Sequence, residues 1–118
     1  MFKLTNLLIV DDDDTLVRVF TRLAKDRNWS NVVARSGTEA IEAFSRQPFE
    51  VALVDIKLPG MSGIQVLEYA KHNHISAEII LITGVGSIES AVAAMKTGAY
   101  DYLTKPFDDI VRVSLLFV

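Results

Sequence analysis

Three aspartates stand at the carboxyl ends of two apolar runs. Leu7-Leu8-Ile9-Val10 leads into Asp11-Asp12, and Val51-Ala52-Leu53-Val54 leads into Asp55. A third run, Ile79-Ile80-Leu81-Ile82, ends in Thr83, and residues 100–104 deliver Lys105 ahead of Pro106. Crowded carboxylates repel, so they either hold protons or bind a cation. With oxygen donors alone and no His or Cys beside them, the ion selected is hard. Mg2+ held by one or two carboxylates, phosphate and water is the usual solution. An aspartate can also attack phosphorus and carry the phosphoryl group as an acyl phosphate. A metal and a lysine then neutralise charge on the equatorial oxygens, and a threonine hydroxyl adds a donor. The inventory is that of phosphoryl transfer to Asp55.

Short apolar runs bounded by turn residues predict buried parallel strands, and they alternate here with helical patterns. The strands are predicted over 6–10, 31–34, 51–54, 78–82 and 100–104. The first helix begins near Asp14, with Leu16, Val19, Phe20, Leu23 and Ala24 on one face. Ser36 with Glu39 predicts a capping box before a helix that buries Ala40, Ile41 and Phe44. After Pro59-Gly60-Met61, Ser62 with Gln65 caps a third helix through Ile64, Leu67 and Ala70. A fourth carries Ile88, Ala91, Val92 and Met95 at i, i+3, i+4 and i+7 and stops at Thr97-Gly98. Asp108 is placed to cap a last helix. Such alternation implies right-handed crossovers and an α/β, doubly wound five-stranded parallel sheet. Five strands suit the flavodoxin-like order 2-1-3-4-5, whose switch point lies between the two strands that end in aspartates.

The composition bounds the rest. At 118 residues the chain has room for one domain, 1–118, and half of its residues are apolar, so folding is expected. A net charge of −3 and the lack of a Lys/Arg run argue against binding nucleic acid or membrane by this chain itself. Without cysteine there is neither a disulfide framework nor a thiolate metal site. The apolar stretch 7–10 is too short for a signal peptide or a membrane span, which predicts a cytoplasmic location.

Four ordered motifs carry a resemblance. They are Leu8-Ile9-Val10-Asp11-Asp12-Asp13; Val54-Asp55-Ile56-Lys57-Leu58-Pro59-Gly60-Met61-Ser62-Gly63; Leu81-Ile82-Thr83-Gly84; and Gly98-Ala99-Tyr100-Asp101-Tyr102-Leu103-Thr104-Lys105-Pro106-Phe107. Along nearly its whole length the chain resembles the receiver domain of two-component response regulators. The resemblance implies a phosphorylation-activated signalling switch, not a turnover enzyme, with Asp55 as phosphoacceptor. Asp11 and Asp12 become the acidic pair for Mg2+, joined by Asp55 and the backbone carbonyl of Lys57. Thr83 becomes the switch hydroxyl, Lys105 the cation on the phosphoryl group, and Tyr102 the rotating aromatic coupled to Thr83. A cis bond between Lys105 and Pro106 is implied as well. The implied partner is a sensor histidine kinase or phosphotransfer protein, and a homodimer on phosphorylation is a further partner the family allows. Residues 86–96 look most like receivers of the nitrogen-regulator class, which control an ATPase domain.

A second family competes. Asp11-x-Asp13-x-Thr15-Leu16 and Ile82-Thr83-Gly84 fit the haloacid-dehalogenase-like phosphatases, with Asp11 as nucleophile and Asp13 as acid/base. That assignment leaves Asp55 and Pro59-Gly60-Met61-Ser62-Gly63 unexplained. It also lacks a downstream acidic motif on an apolar strand, and the length for a cap. Asp13 and Asp14 instead suit the N-terminus of a helix, where the dipole favours acids. Trp29, Pro48, His72 and His74 are given structural roles, and Asp101 is expected to face solvent. Val17, off the apolar stripe of the first helix, is expected on the surface, first as a solitary surface valine and only second as a kinase contact. Lys57 and Val85 flank the path of a hydrolytic water, and neither offers an acceptor to orient one. The stretch Leu115-Leu116-Phe117-Val118 is apolar on every side, so it docks on the sheet, faces a partner, or marks a last helix cut short.

Overall fold

The computed structural model describes residues 6–84 and 88–105. Five parallel strands form one sheet in the order β2-β1-β3-β4-β5. They are β1 Asn6–Val10, β2 Ser30–Ala34, β3 Val51–Asp55, β4 Glu78–Thr83 and β5 Asp101–Thr104. Four helices connect them: α1 Asp14–Asp26, α2 Gly37–Arg46, α3 Gly63–His72 and α4 Ile88–Thr97. Because both faces are covered, the inner strands are apolar at every position; all five residues of β3 are buried. Strand pleating sends Leu7, Ile9 and Leu53 into a core under α1. Leu8, Val10, Ala52 and Val54 enter a second core with α2, α3 and α4.

Local chemistry sets the helix starts. The Asp13 side chain accepts from Thr15 N–H at 2.8 Å and caps α1. Ser62 and Gln65 form the predicted capping box of α3, each side chain taking the other's backbone N–H. At α2, Ser36 Oγ accepts from Glu39 N–H as expected. The Glu39 carboxylate, however, reaches back to Arg35 N–H and not to Ser36, so that box is not closed.

Several expectations need correction. Val17 is buried, 7% exposed, beside Leu16, Phe20 and Ala24, while Val19 and Leu23 are only half-buried. The apolar arc of α1 is wide, and the sheet meets it around Phe20, which turns Val17 inward; a kinase contact through Val17 is ruled out. On α4 the buried residues are Ala91 and Ala94, whereas Val92 is 47% and Met95 37% exposed. Small side chains form the buried part of this helix among the side chains described. Tyr100, 55% exposed, precedes β5 instead of opening it. Strand β2 begins one residue before its predicted start, and β3 and β4 each end one residue later than predicted. The Lys105–Pro106 bond, Val85, Phe107, Asp108 and the apolar stretch 115–118 lie outside the described residues.

Candidate functional site

Each site residue sits where a strand runs out at the carboxyl edge of the sheet. Asp11 follows β1, and its N–H donates to Ala34 C=O at 3.0 Å, which ties the end of β1 to β2. Its carboxylate is fully buried. Oδ1 accepts from Asp13 N–H at 2.9 Å, and Oδ2 has no hydrogen-bond partner. A buried oxygen without a donor is costly. Burial, with the charge of Asp55 adding to it, pushes the Asp11 carboxyl up from 3.8 to about 6, against the lowering influence of Asp13 N–H and Lys105.

Asp55 ends β3 and is 4% exposed. Its Oδ1 accepts from Lys57 N–H at 3.2 Å, and its Oδ2 meets Lys105 Nζ at 3.0 Å. Lys105 is delivered by β5: Thr83 pairs with Thr104, and Lys105 N–H donates to Thr83 C=O at 2.8 Å. Thr83 is fully buried and its hydroxyl donates to Gly84 C=O at 3.0 Å. Tyr102 is half-buried against the α2–α4 core, opposite Leu81 in the register. Asp12 is exposed, yet it offers a carboxylate oxygen to a group with Asp11 and Asp55 in which all three oxygens lie within 4.8 Å of one another.

The switch point thus brings together Asp11, Asp12, Asp55, Thr83 and Lys105. Asp13 and Asp14 are outside that group: Asp13 caps α1, and Asp14 pairs with Arg35 at 2.6 Å. Trp29 packs against the core under α1, with the Arg27 guanidinium 5.5 Å from its ring centroid. His72 and His74 are exposed and in no candidate metal group among the described residues. Asp101 is half-buried and accepts from Tyr102 N–H at 2.8 Å, so it is not simply solvated.

Gly63 emerges as a site residue that sequence reasoning left as one letter of a motif. Its N–H donates to Ile56 C=O at 2.8 Å, and a Cβ there would collide with the carbonyl of Asp55. Only glycine lets α3 begin directly against the end of β3. The available signal was a glycine at the first position of a helix, where its entropy cost calls for a reason. Met61 fills the space a Cβ on Gly37 would need, at 2.7 Å, and so locks the loop after Asp55 to the start of α2.

The donor set fits a hard divalent cation. It is oxygen-only, it contains a buried carboxylate oxygen with no donor, and its members are close enough to share one ion.

An open parallel α/β sheet of this order, with acids at its switch point, defines a flavodoxin-like doubly wound architecture. Comparison with known proteins makes it specific. Residues 7–114 match the response regulator receiver domain, and the chain belongs to that family. It is 37% identical over 116 residues to a response regulator described as NtrX-like from Rickettsia bellii (strain RML369-C), covering 97% of this chain and 24% of that one. It is 36% identical over 108 residues to the DNA-binding transcriptional regulator NtrC of Klebsiella pneumoniae, covering 92% and 23%. The crystal structure of NtrX from Brucella abortus superposes with a TM-score of 0.86 at 28% identity, covering 98% of this chain and 27% of that one. The relatives are those of the nitrogen-regulator class. The chain spans about a quarter of their length. No helix among the described residues is long and apolar enough to cross a membrane.

Proposed function

We propose that the chain, as one receiver domain over 1–118, is a switch in which Asp55 accepts a phosphoryl group from the phosphohistidine of a sensor histidine kinase or phosphotransfer protein. A carboxylate oxygen of Asp55 attacks phosphorus in line, the P–N bond of the donor breaks, and the imidazole leaves with the electron pair. What carries the proposal is the convergence at one buried carboxylate: Lys105 Nζ at 3.0 Å from Asp55 Oδ2, with the unpartnered acid Asp11 beside it. Asp11, Asp12, Asp55 and the backbone carbonyl of Lys57 would hold Mg2+, which when bound neutralises charge on the phosphoryl oxygens. Lys105 exchanges its carboxylate partner for a phosphoryl oxygen. The Lys57 N–H, already on Asp55 Oδ1, holds the carboxylate in one orientation during attack.

The Thr83 hydroxyl, now on Gly84 C=O, rotates to the new acceptor oxygens, and Tyr102 follows it inward. The face of α4 and β5, with the segment that follows, changes shape and controls the output. The name of the DNA-binding transcriptional regulator NtrC supports transcription as that output, and the resemblance to the nitrogen-regulator class implies control of an ATPase domain. Dimerisation on phosphorylation and a cytoplasmic location belong to the same proposal. Asp11 as the nucleophile of a phosphatase is disfavoured: it leaves Asp55 and its contact with Lys105 without a role, and Asp13, which would be the acid/base, is occupied in capping α1.

Incubation with a small acyl phosphate and Mg2+ should add one phosphoryl group per chain by intact mass, and none to Asp55→Asn. Equal uptake by Asp55→Asn would remove Asp55 as acceptor. Continuous consumption of the donor without a gain in mass would indicate a phosphatase instead.

A further inference from the structure

We propose that the open edge of β2, with the basic groove beside it, binds an extended acidic peptide whose acids alternate with apolar residues. Strand β2 is an edge of the sheet. Asp11 N–H bonds Ala34 C=O, so Ala34, Val32 and Ser30 turn their backbone groups toward β1. By the period of two, Asn31 and Val33 present theirs outward, a template for one added strand. Grooves lie on both sides of that edge. On the α1 side a groove of about 590 Å3 is lined by Arg18, Thr21, Arg22, Lys25, Trp29 and Asn31. On the α2 side one of about 380 Å3 is lined by Val32, Val33 and Ala43 together with Glu39, Glu42 and Arg46.

An added strand projects successive side chains into these two grooves in turn. Those on the α1 side meet three exposed cations carried at i, i+4 and i+7 of one helix, and those on the α2 side meet Val32 and Ala43 beside Glu39 and Glu42, whose charges disfavour an acid there. Acids alternating with apolar residues satisfy both. Arg18, Arg22, Lys25 and Arg27 are four of the chain's twelve Lys and Arg, gathered in ten residues whose one acid, Asp26, lies 3.7 Å from Arg22. A net positive charge therefore remains at this edge of a protein whose net charge is −3.

A nucleic acid is the less suitable polyanion. The exposed acids Asp12, Asp13 and Asp14 stand at the upper end of α1 and would repel a continuing phosphate chain. Trp29 has the core on one side and Arg27 over its ring, which leaves a base no stacking platform. A peptide of a few residues fits between the Arg35–Asp14 pair at one end and Trp29 at the other.

The test uses the 118-residue chain and a labelled ten-residue peptide of alternating glutamate and valine. Controls are the same composition with its glutamates in one block, and a single-stranded DNA oligomer of equal charge. Anisotropy should report binding of the alternating peptide at least about ten-fold tighter than either control, weakening as salt rises. Amide shifts should centre on Asn31 and Val33 and on the Trp29 indole N–H. Arg18→Glu with Lys25→Glu should weaken binding at least about ten-fold through lost attraction. Asn31→Pro, which removes one outward N–H at an edge position, should do the same while circular dichroism stays unchanged. Equal binding of the blocked peptide would overturn strand addition. Tighter binding of DNA, no binding at all, or shifts confined to other faces would overturn the proposal. Should Asn31→Pro unfold the chain, the charge variants and the shift map still decide.

Discussion

At the scale of the residue, Asp11 governs the ionic balance of the site. Its carboxyl is raised from 3.8 to about 6, so the folded protein binds that proton more tightly than the unfolded chain. Without a divalent cation this group's contribution to stability falls as pH rises from near 4 to 6. Above 6 the buried charge costs on the order of 3 kcal/mol. Denaturant titrations in EDTA should show that decline in the parent and not in Asp11→Asn, which should be the more stable protein at pH 7. Adding Mg2+ at pH 7 should stabilise the parent and leave Asp11→Asn nearly unchanged. A second prediction concerns the lifetime of the phosphorylated form. Lys57 is exposed two residues beyond Asp55 and brings donors without an acceptor, so nothing on it orients an attacking water. Lys57→Asn should shorten the half-life of the labelled protein, roughly several-fold, with the rate of uptake unchanged; decay followed by intact mass reads both. The acids, the hydroxyl and the lysine were legible in the sequence because each ends an apolar run. The requirement for glycine at Gly63 was not, since a backbone approach leaves no mark on composition.

At the scale of the element, four predicted helices lie among the described residues, and the faces of three were misjudged in part; in α2 the buried residue is Ala43 where Ile41 was expected. In α1 the rule of i, i+3 and i+4 drawn from Leu16 selects Val19 and Leu23, but the sheet takes Leu16, Val17, Phe20 and Ala24. In α4 a hydrophobic scale favours Val92 and Met95 over alanine, and the fold buries Ala91 and Ala94. Periodicity reports that a stripe exists; the spacing between layers decides which edge of it is used. Ends of helices were more legible. Gly98 stops α4 at φ 119°, and a Cβ there would lie 2.9 Å from Cε of Lys71. Gly98→Ala should therefore destabilise the protein by about 1–3 kcal/mol, seen as a lower Tm, through strain at a positive φ and displacement of that lysine.

For the whole molecule, the parallel order was legible because βα alternation leaves few topologies, and with the order came the position of the site. The basic edge of β2 was missed, because its cations are spread through a helix and form no run. If the site acts through Thr83 on the distant face, Thr83→Ala should still take up a phosphoryl group. Its amide shift changes over residues 88–105 should be reduced by half or more, while those next to Asp55 persist. Shift changes as large as the parent's would exclude Thr83 as the coupling residue. The alanines of α4 have a mechanical meaning in this setting. A helix seated by interlocking leucines must unmesh to move, and each step forfeits contact area. Among the described side chains its seat is Ala91 and Ala94, a nearly smooth bearing on which a small turn or slide costs little. Ala94→Leu puts a tooth on that bearing. The seat should jam, with phosphorylation of Asp55 proceeding normally and α4 no longer answering it.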